Sequence, residues 1–309
     1  MQKDAKYLRA GAAVVTFHFL YIRRNWHRIC YNGRDMIAGL IKSAVKLARQ
    51  TWDNRRITWE FALRTLQKKY KGSALGIVWA GVRPLAYVLV FWFVFEMGIR
   101  GGRATPGNVP FIVWLIPGMF AWQYISSVFS EGANSIRKNR ALVTKTVFPA
   151  ITIPQFTVLS LFLVHVLLMI CVMIGFALFG FTPTVYWLQM PYFFLASFVF
   201  TLLISTFFSV LTVYSKDITH LLRSATQLIF WLSAIIWPFS TFEPGTMKRI
   251  MMLNPVLYIV EGYRNILIYD TWFWANPLWV AYFWGLMAVM GLATLFVWTR
   301  MSKNFADVL

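Results

Sequence analysis

The chain has 309 residues, 59% of them hydrophobic and 13% charged, about half the charged share of an ordinary soluble domain. That excludes a soluble globular protein and, with several runs of 18 or more nearly uncharged residues, points to a polytopic membrane protein. The net charge of +19 does not indicate a nucleic-acid binder. Residues 1–76 hold 16 Lys/Arg against 4 Asp/Glu, so +12 sits on a short segment leading straight into apolar sequence, where anionic lipid is the natural counterpart.

Lys3, Lys6 and Arg9 precede the apolar stretch Ala10–Ile22, but Arg23, Arg24, Trp26, His27 and Arg28 follow it without a small-residue cleavage pattern. This stretch is expected to lie at a membrane interface within a basic extension, residues 1–58. Cys30 and Cys171 form neither a disulfide framework nor a metal-ligand spacing, and both are expected to be packing residues.

From Trp59 to Lys71 the pattern is amphipathic. Trp59, Leu63, Leu66 and Tyr70 follow the i, i+4, i+7, i+11 spacing of one helical stripe, with Phe61 off it. Glu60, Arg64, Lys68 and Lys71 fall on another face. Such a helix suits a bilayer interface, apolar side down and lysines toward anionic head groups; a solvated surface helix is the alternative for this segment alone. Gly72 and Gly76 fit the close-packing GxxxG spacing, or simply bend the chain at the bilayer edge.

Beyond Gly76, spans are expected at about 77–97, 111–130, 153–179, 188–214, 222–240 and 275–299. Every backbone amide in a bilayer needs a partner within its own segment, so these are helices. With the N-terminus inside, twelve Lys/Arg flank the inner ends of the spans and five the outer ends, which puts both termini in the cytoplasm. Ile250–Tyr269 is apolar enough for a seventh span but contains Asn254, Pro255, Glu261 and Arg264. A central Arg alone costs about 2.5–3.5 kcal/mol on insertion scales. A broken segment that turns back from the outer side is the better expectation. Irregular backbone at that depth needs protein or a water-filled cavity around it, so Glu261 and Arg264 become candidate path residues.

No Lys follows a Gly, so there is no phosphate-binding GxxxxGK[ST] loop, and none of the four histidines is followed by Glu, so there is no HExxH zinc pattern. No catalytic or metal-binding constellation is expected. His165, within the third span, fits either a proton relay or a hydrogen-bonded packing residue. Ser135–Val147 reads as a short basic helix closed by Pro149, suited to lipid or to a cytoplasmic partner. Aromatic residues make up 18% of the chain. Tyr87, Phe91, Trp92, Phe95, Phe230, Trp231 and Trp237 lie within or at the ends of the first and fifth spans, where their faces suit either helix packing or the C–H faces of a sugar.

Three stretches carry a resemblance: KYKGSALGIVWAGVRPL (69–85), RKNRALVTKTVFP (137–149) and LNPVLYIVEGYRNIL (253–267). In this order and spacing, over roughly residues 55–309, the chain resembles the permease subunits of type-2 ATP-binding-cassette exporters, which move polysaccharides out of bacteria. FWFVFEMGIRGGRATPGNVPFIVWLIPGM (91–119) and the C-terminal SKNFADVL are most similar to the wall teichoic acid branch of Gram-positive bacteria.

The resemblance implies an all-α integral membrane protein with six transmembrane helices, a cytoplasmic interfacial gate helix at 59–71 and outer re-entrant helices at 242–269. It implies two copies of this chain bound to two copies of a separate ATPase, which binds the ATP and magnesium. The coupling contact would be Arg137, Lys138, Arg140, Leu142 and Lys145, with Lys216 and Asp217 as a smaller second contact. A lipid-linked anionic polymer would present its diphosphate beside Trp59, Arg64, Lys68, Lys69, Tyr70 and Lys71, then pass along the aromatic residues. The alternatives are an exporter of capsule, O-antigen or small amphiphiles on the same scaffold, or a membrane enzyme acting on lipid-linked sugars.

Overall fold

The computed structural model describes residues 33–100, 105–146, 148–241, 243 and 245–309. The interfacial stretch expected at Ala10–Ile22, and Cys30, lie outside the described residues. The chain divides into two compact units, 1–47 and 48–309. Of the first, the described part is Gly33–Leu47, the opening turns of helix α1 (Gly33–Asp53), where Lys42 and Lys46 are exposed.

In the second unit all regular structure among the described residues is helical. After α1, a break at Asn54 leads into α2 (Arg55–Tyr70). Gly72 and Gly76 follow with φ of +87° and +52°, and a Cβ on either would meet nothing within 4 Å. These glycines bend the chain and do not bring two helices together. The chain then enters α3 (Trp79–Phe93), which continues into a π-helical stretch, Val94–Arg100.

Five helices among the described residues are long and apolar enough to cross a membrane: Gly76–Gly98, Phe111–Gly132, Thr152–Leu178, Val185–Tyr214 and Pro277–Met301. They match the first four and the last of the expected spans to within three residues. Their α-helical cores are α3, α4 (Phe111–Ser127), α7 (Thr152–Leu178), α8 (Met190–Tyr214) and α12 (Pro277–Met301). The expected fifth span, 222–240, differs. Helix α9 runs Asp217–Leu232, 16 residues, a rise of about 24 Å against a hydrocarbon core of about 30 Å. Ala234, at φ +50°, stops it, and Pro238 cannot resume the ladder.

α4 is the axis of the unit. It is apolar all round, which suits a helix buried on every side, and Trp114, Leu115, Ala121 and Ile125 are fully buried. It packs against α3, α7 and α11 (Pro255–Leu267), while α12 packs on α8 and α2 on α7. The stretch expected to be broken is broken. α10 (Thr246–Met252) ends before Asn254, whose Oδ1 accepts the Val256 N–H at 3.0 Å while Pro255 occupies the first turn of α11. The same Asn-Pro start recurs at α12, where Asn276 accepts the Trp279 N–H at 3.2 Å.

Candidate functional site

The basic end of this unit is built on a wide turn. At Val128–Gly132 the axis helix widens into a π-helical turn, a device frequent at functional positions. The single short helix expected at 135–147 is two, α5 (Ser135–Lys138) and α6 (Arg140–Thr144). Asn139 separates them: its Nδ2 donates to the Ser135 carbonyl at 2.9 Å, an alternative to continuing the helix. Thr212 Oγ1 donates to the Ala133 carbonyl at 2.6 Å, and Thr219 Oγ1 donates to Asn134 Oδ1 at 2.8 Å. Ile136 is fully buried, so the segment is seated on α8 and α9 and does not hang free.

Arg137, Lys138, Arg140 and Lys216 line one cleft of about 930 Å³, together with His220, Arg223 and the backbone end at Val308–Leu309. Leu142 and Lys145 lie outside its lining, and the Asp217 carboxylate faces its own neighbour Ser215 at 3.4 Å. Among the side chains lining the cleft, Glu131 is the single carboxylate against five Lys/Arg, so the field of the lining is positive. Arg223 counts in the sequence only as an inner-flank cation and is not assigned there to this contact. The tail SKNFADVL, which carries part of the resemblance, joins the cleft here: Phe305 is buried against Trp298, and Tyr214 donates to the Met301 carbonyl.

α2 meets the rest of the unit through Phe61 and Ala62 as well as through part of the expected stripe, whose Leu66 and Tyr70 line a crevice against neighbouring helices. Ala62 is fully buried, and Phe61, off that stripe, packs on Phe148 and Phe156 at 5.2 and 5.4 Å between ring centroids. Trp59 is 47% exposed. Small Ala62 lets α2 approach α7 closely, a packing advantage that a count of large apolar residues overlooks. Arg64, Lys68 and Lys71 are exposed, and Tyr70 is half-buried. Lys69 points the other way: its Nζ meets Glu131 Oε1 at 2.6 Å, tying the end of α2 to the π-helical turn. Glu131 had given no signal in the sequence.

The aromatic residues separate into two groups. Phe95, Phe91, Phe230 and Trp122 form a ladder between α3, α4 and α9, with centroid separations of 6.3, 5.7 and 5.5 Å. Trp92 and Trp237 are half-buried, the latter donating to the Trp231 carbonyl at 3.1 Å. Tyr87 and Trp231 are open, at 60% and 51% exposure.

Glu261 and Arg264 lie inside the subunit. Arg264 has no exposed surface: Nη1 donates to Glu261 Oε1 and the Ala234 carbonyl, both at 2.7 Å, and Nη2 donates to the Ile235 carbonyl at 2.6 Å. Its guanidinium lies 3.6 Å from the Trp114 ring centroid, and a Cβ on Gly118 would come within 2.7 Å of Nη2. This one side chain satisfies the carbonyls freed where α9 stops and clamps them to α4 and α11. His165 is buried too, its Nε2 2.9 Å from the Tyr263 hydroxyl and its ring stacked on Tyr124 at 4.7 Å.

Among the described residues, an apolar helical unit with membrane-spanning helices carries a seated basic cleft, which defines the class as a multi-pass membrane protein. The chain belongs to the ABC-2 type transporter family, which it matches over residues 58–268. It is similar to the O-antigen export system permease protein RfbA of Klebsiella pneumoniae, with 27% identity over 250 residues, 80% of this chain and 92% of the relative. It is also similar to the protein of the same name from Myxococcus xanthus, 26% over 260 residues (84% and 95%), and to the polysialic acid transport protein KpsM of Escherichia coli, 24% over 224 residues (71% and 84%).

Proposed function

We propose that this chain is the membrane subunit of an ATP-driven exporter of lipid-linked bacterial polysaccharide. Two copies work with two copies of a separate ATPase, which binds the ATP and magnesium. The observation that carries this reading is the seated basic cleft of Arg137, Lys138, Arg140 and Lys216 in a chain of this family that has no phosphate-binding loop. A coupling surface must transmit force, and a segment pinned by Thr212 and Thr219 can do so where a loose loop cannot.

In this reading α2 is the gate helix at the cytoplasmic face and both termini are cytoplasmic. Helix α9 with the turn after it supplies a sixth crossing, and α10 and α11 form the outer re-entrant pair. Arg64, Lys68 and Lys71 receive the diphosphate of the cargo, and the open aromatic side chains Tyr87 and Trp231 face the polymer. Relatives named for O-antigen and polysialic acid favour a cargo of the O-antigen or capsule type. Wall teichoic acid, with the Gram-positive host it implies, is the narrower reading and rests on residues 91–119 and 302–309.

Co-expression with a candidate ATPase tests the proposal. Reversing charge at Arg137, Arg140 and Lys216 together is expected to abolish co-purification of the ATPase and surface polymer, leaving the membrane subunit intact. Undiminished co-purification and export would remove the basis of the assignment.

A further inference from the structure

A second crevice, of about 170 Å³, opens between α2, α3, α4 and α7, with Lys69, Tyr70, Arg83, Gln123 and Glu131 among its lining. That is room for about five water molecules at roughly 30 Å³ each, or for one small anionic group. Its wall on α7 mixes Leu161 and Leu168 with the buried polar side chains of Ser160 and His165.

Arg83 is the anomaly. It sits seven residues into the span Gly76–Gly98, a rise of about 10 Å from its start. It is exposed and has no hydrogen-bond, ion-pair or ring partner among the described residues. An Arg inside an apolar span is costly unless something answers its charge. Nothing in the crevice does. The one carboxylate, Glu131, is engaged by Lys69 at 2.6 Å, and the Gln123 amide donates to the Pro84 carbonyl at 3.3 Å. Two cations against one carboxylate leave one positive charge uncompensated. On the same helical face as Arg83, at i+4, i+7 and i+11, Tyr87, Val90 and Val94 are exposed, a largely apolar track running on from the charged pocket.

We propose that this crevice binds the phosphate group of a lipid, with the Arg83 guanidinium forking onto two phosphate oxygens, the Tyr70 hydroxyl donating, and the lipid chain lying along the outer face of α3. A planar fork matched to paired oxygens is the geometry in which Arg exceeds Lys. The phosphate could belong to an ordinary anionic phospholipid or to a polyprenyl diphosphate that anchors a polymer. The proposal shares with the export reading the placement of α2 beside the lipid head groups, but its readout is lipid binding and needs no transport.

The test is native mass spectrometry of the full chain, titrated separately with a polyprenyl diphosphate and with dioleoyl phosphatidylglycerol. Arg83→Gln is expected to weaken retention of at least one of them by tenfold or more. Loss confined to the diphosphate identifies a cargo anchor, and loss of phosphatidylglycerol identifies a resident lipid. Wild-type retention of both lipids by a monodisperse Arg83→Gln protein would overturn the proposal. If Arg83→Gln does not fold, Arg83→Lys decides. Keeping the charge without the fork should weaken retention several-fold, and unchanged retention would refute the site. Lipid retention by a wild-type protein that supports no export in cells would count against the exporter and not against the crevice.

Discussion

Arg264 shows what a buried charge does when it is fully employed. Its attraction to Glu261 offsets the cost of desolvating both groups, and its remaining protons go to backbone carbonyls that no helix can satisfy. Arg264→Met should therefore destabilise the subunit by about 3–5 kcal/mol, since it leaves Glu261 charged and unpaired and two carbonyls bare. Unfolding in a denaturing-detergent titration would measure this, and the double variant Glu261→Gln/Arg264→Met should recover part of the loss because the two sites are coupled. The sequence marked both residues as unusual in an apolar stretch. It could not distinguish a cavity lining from an internal clamp, because the partners are main-chain atoms thirty residues away that carry no side-chain signal.

At the scale of elements, legibility followed length. Spans of 22–30 residues announce themselves by composition, and their ends fell where expected. The short pieces did not. Whether 135–147 is one helix or two depends on Asn139 choosing a local hydrogen bond, and α9 stops where the distant Arg264 rewards its stopping. The protein-packed face of α2 was hidden for a related reason. Apolar periodicity identifies the residues that avoid water, but next to lipid those need not be the residues that touch protein. Ala62→Leu should thus disrupt the α2–α7 contact, costing about 1–3 kcal/mol as overpacking does, while Trp59→Ala leaves stability nearly unchanged. Comparing the thermal midpoints of the two variants checks the assignment; a larger loss from Trp59→Ala would contradict it.

Over the whole molecule, composition carried the all-helical class and five of the spans, because a bilayer imposes helices; orientation, argued from flanking cations, is a separate expectation. The proposed six-crossing arrangement makes a definite expectation. Single cysteines at Lys216 and Lys303 should react with an impermeant thiol reagent only after the membrane is opened, whereas one at Lys248 should react in intact cells. Lys216 and Lys248 labelled from the same side would leave α9 uncrossed and reduce the count to five.

The axis helix α4 links events at the two ends of the unit unequally. At one end Trp114 and Gly118 grip Arg264 and, through it, two backbone carbonyls; at the other, Glu131 sits in a wide turn held by a half-exposed ion pair to Lys69. An ion pair of that exposure is worth at most about 1 kcal/mol, several-fold less than the buried clamp. The wide turn itself is not loose: Val128 and Phe129 are buried and a Cβ on Gly132 would come within 2.7 Å of Ser205 Oγ. Breaking the Lys69 contact would therefore release the end of α2 from the axis helix without unwinding the axis helix itself.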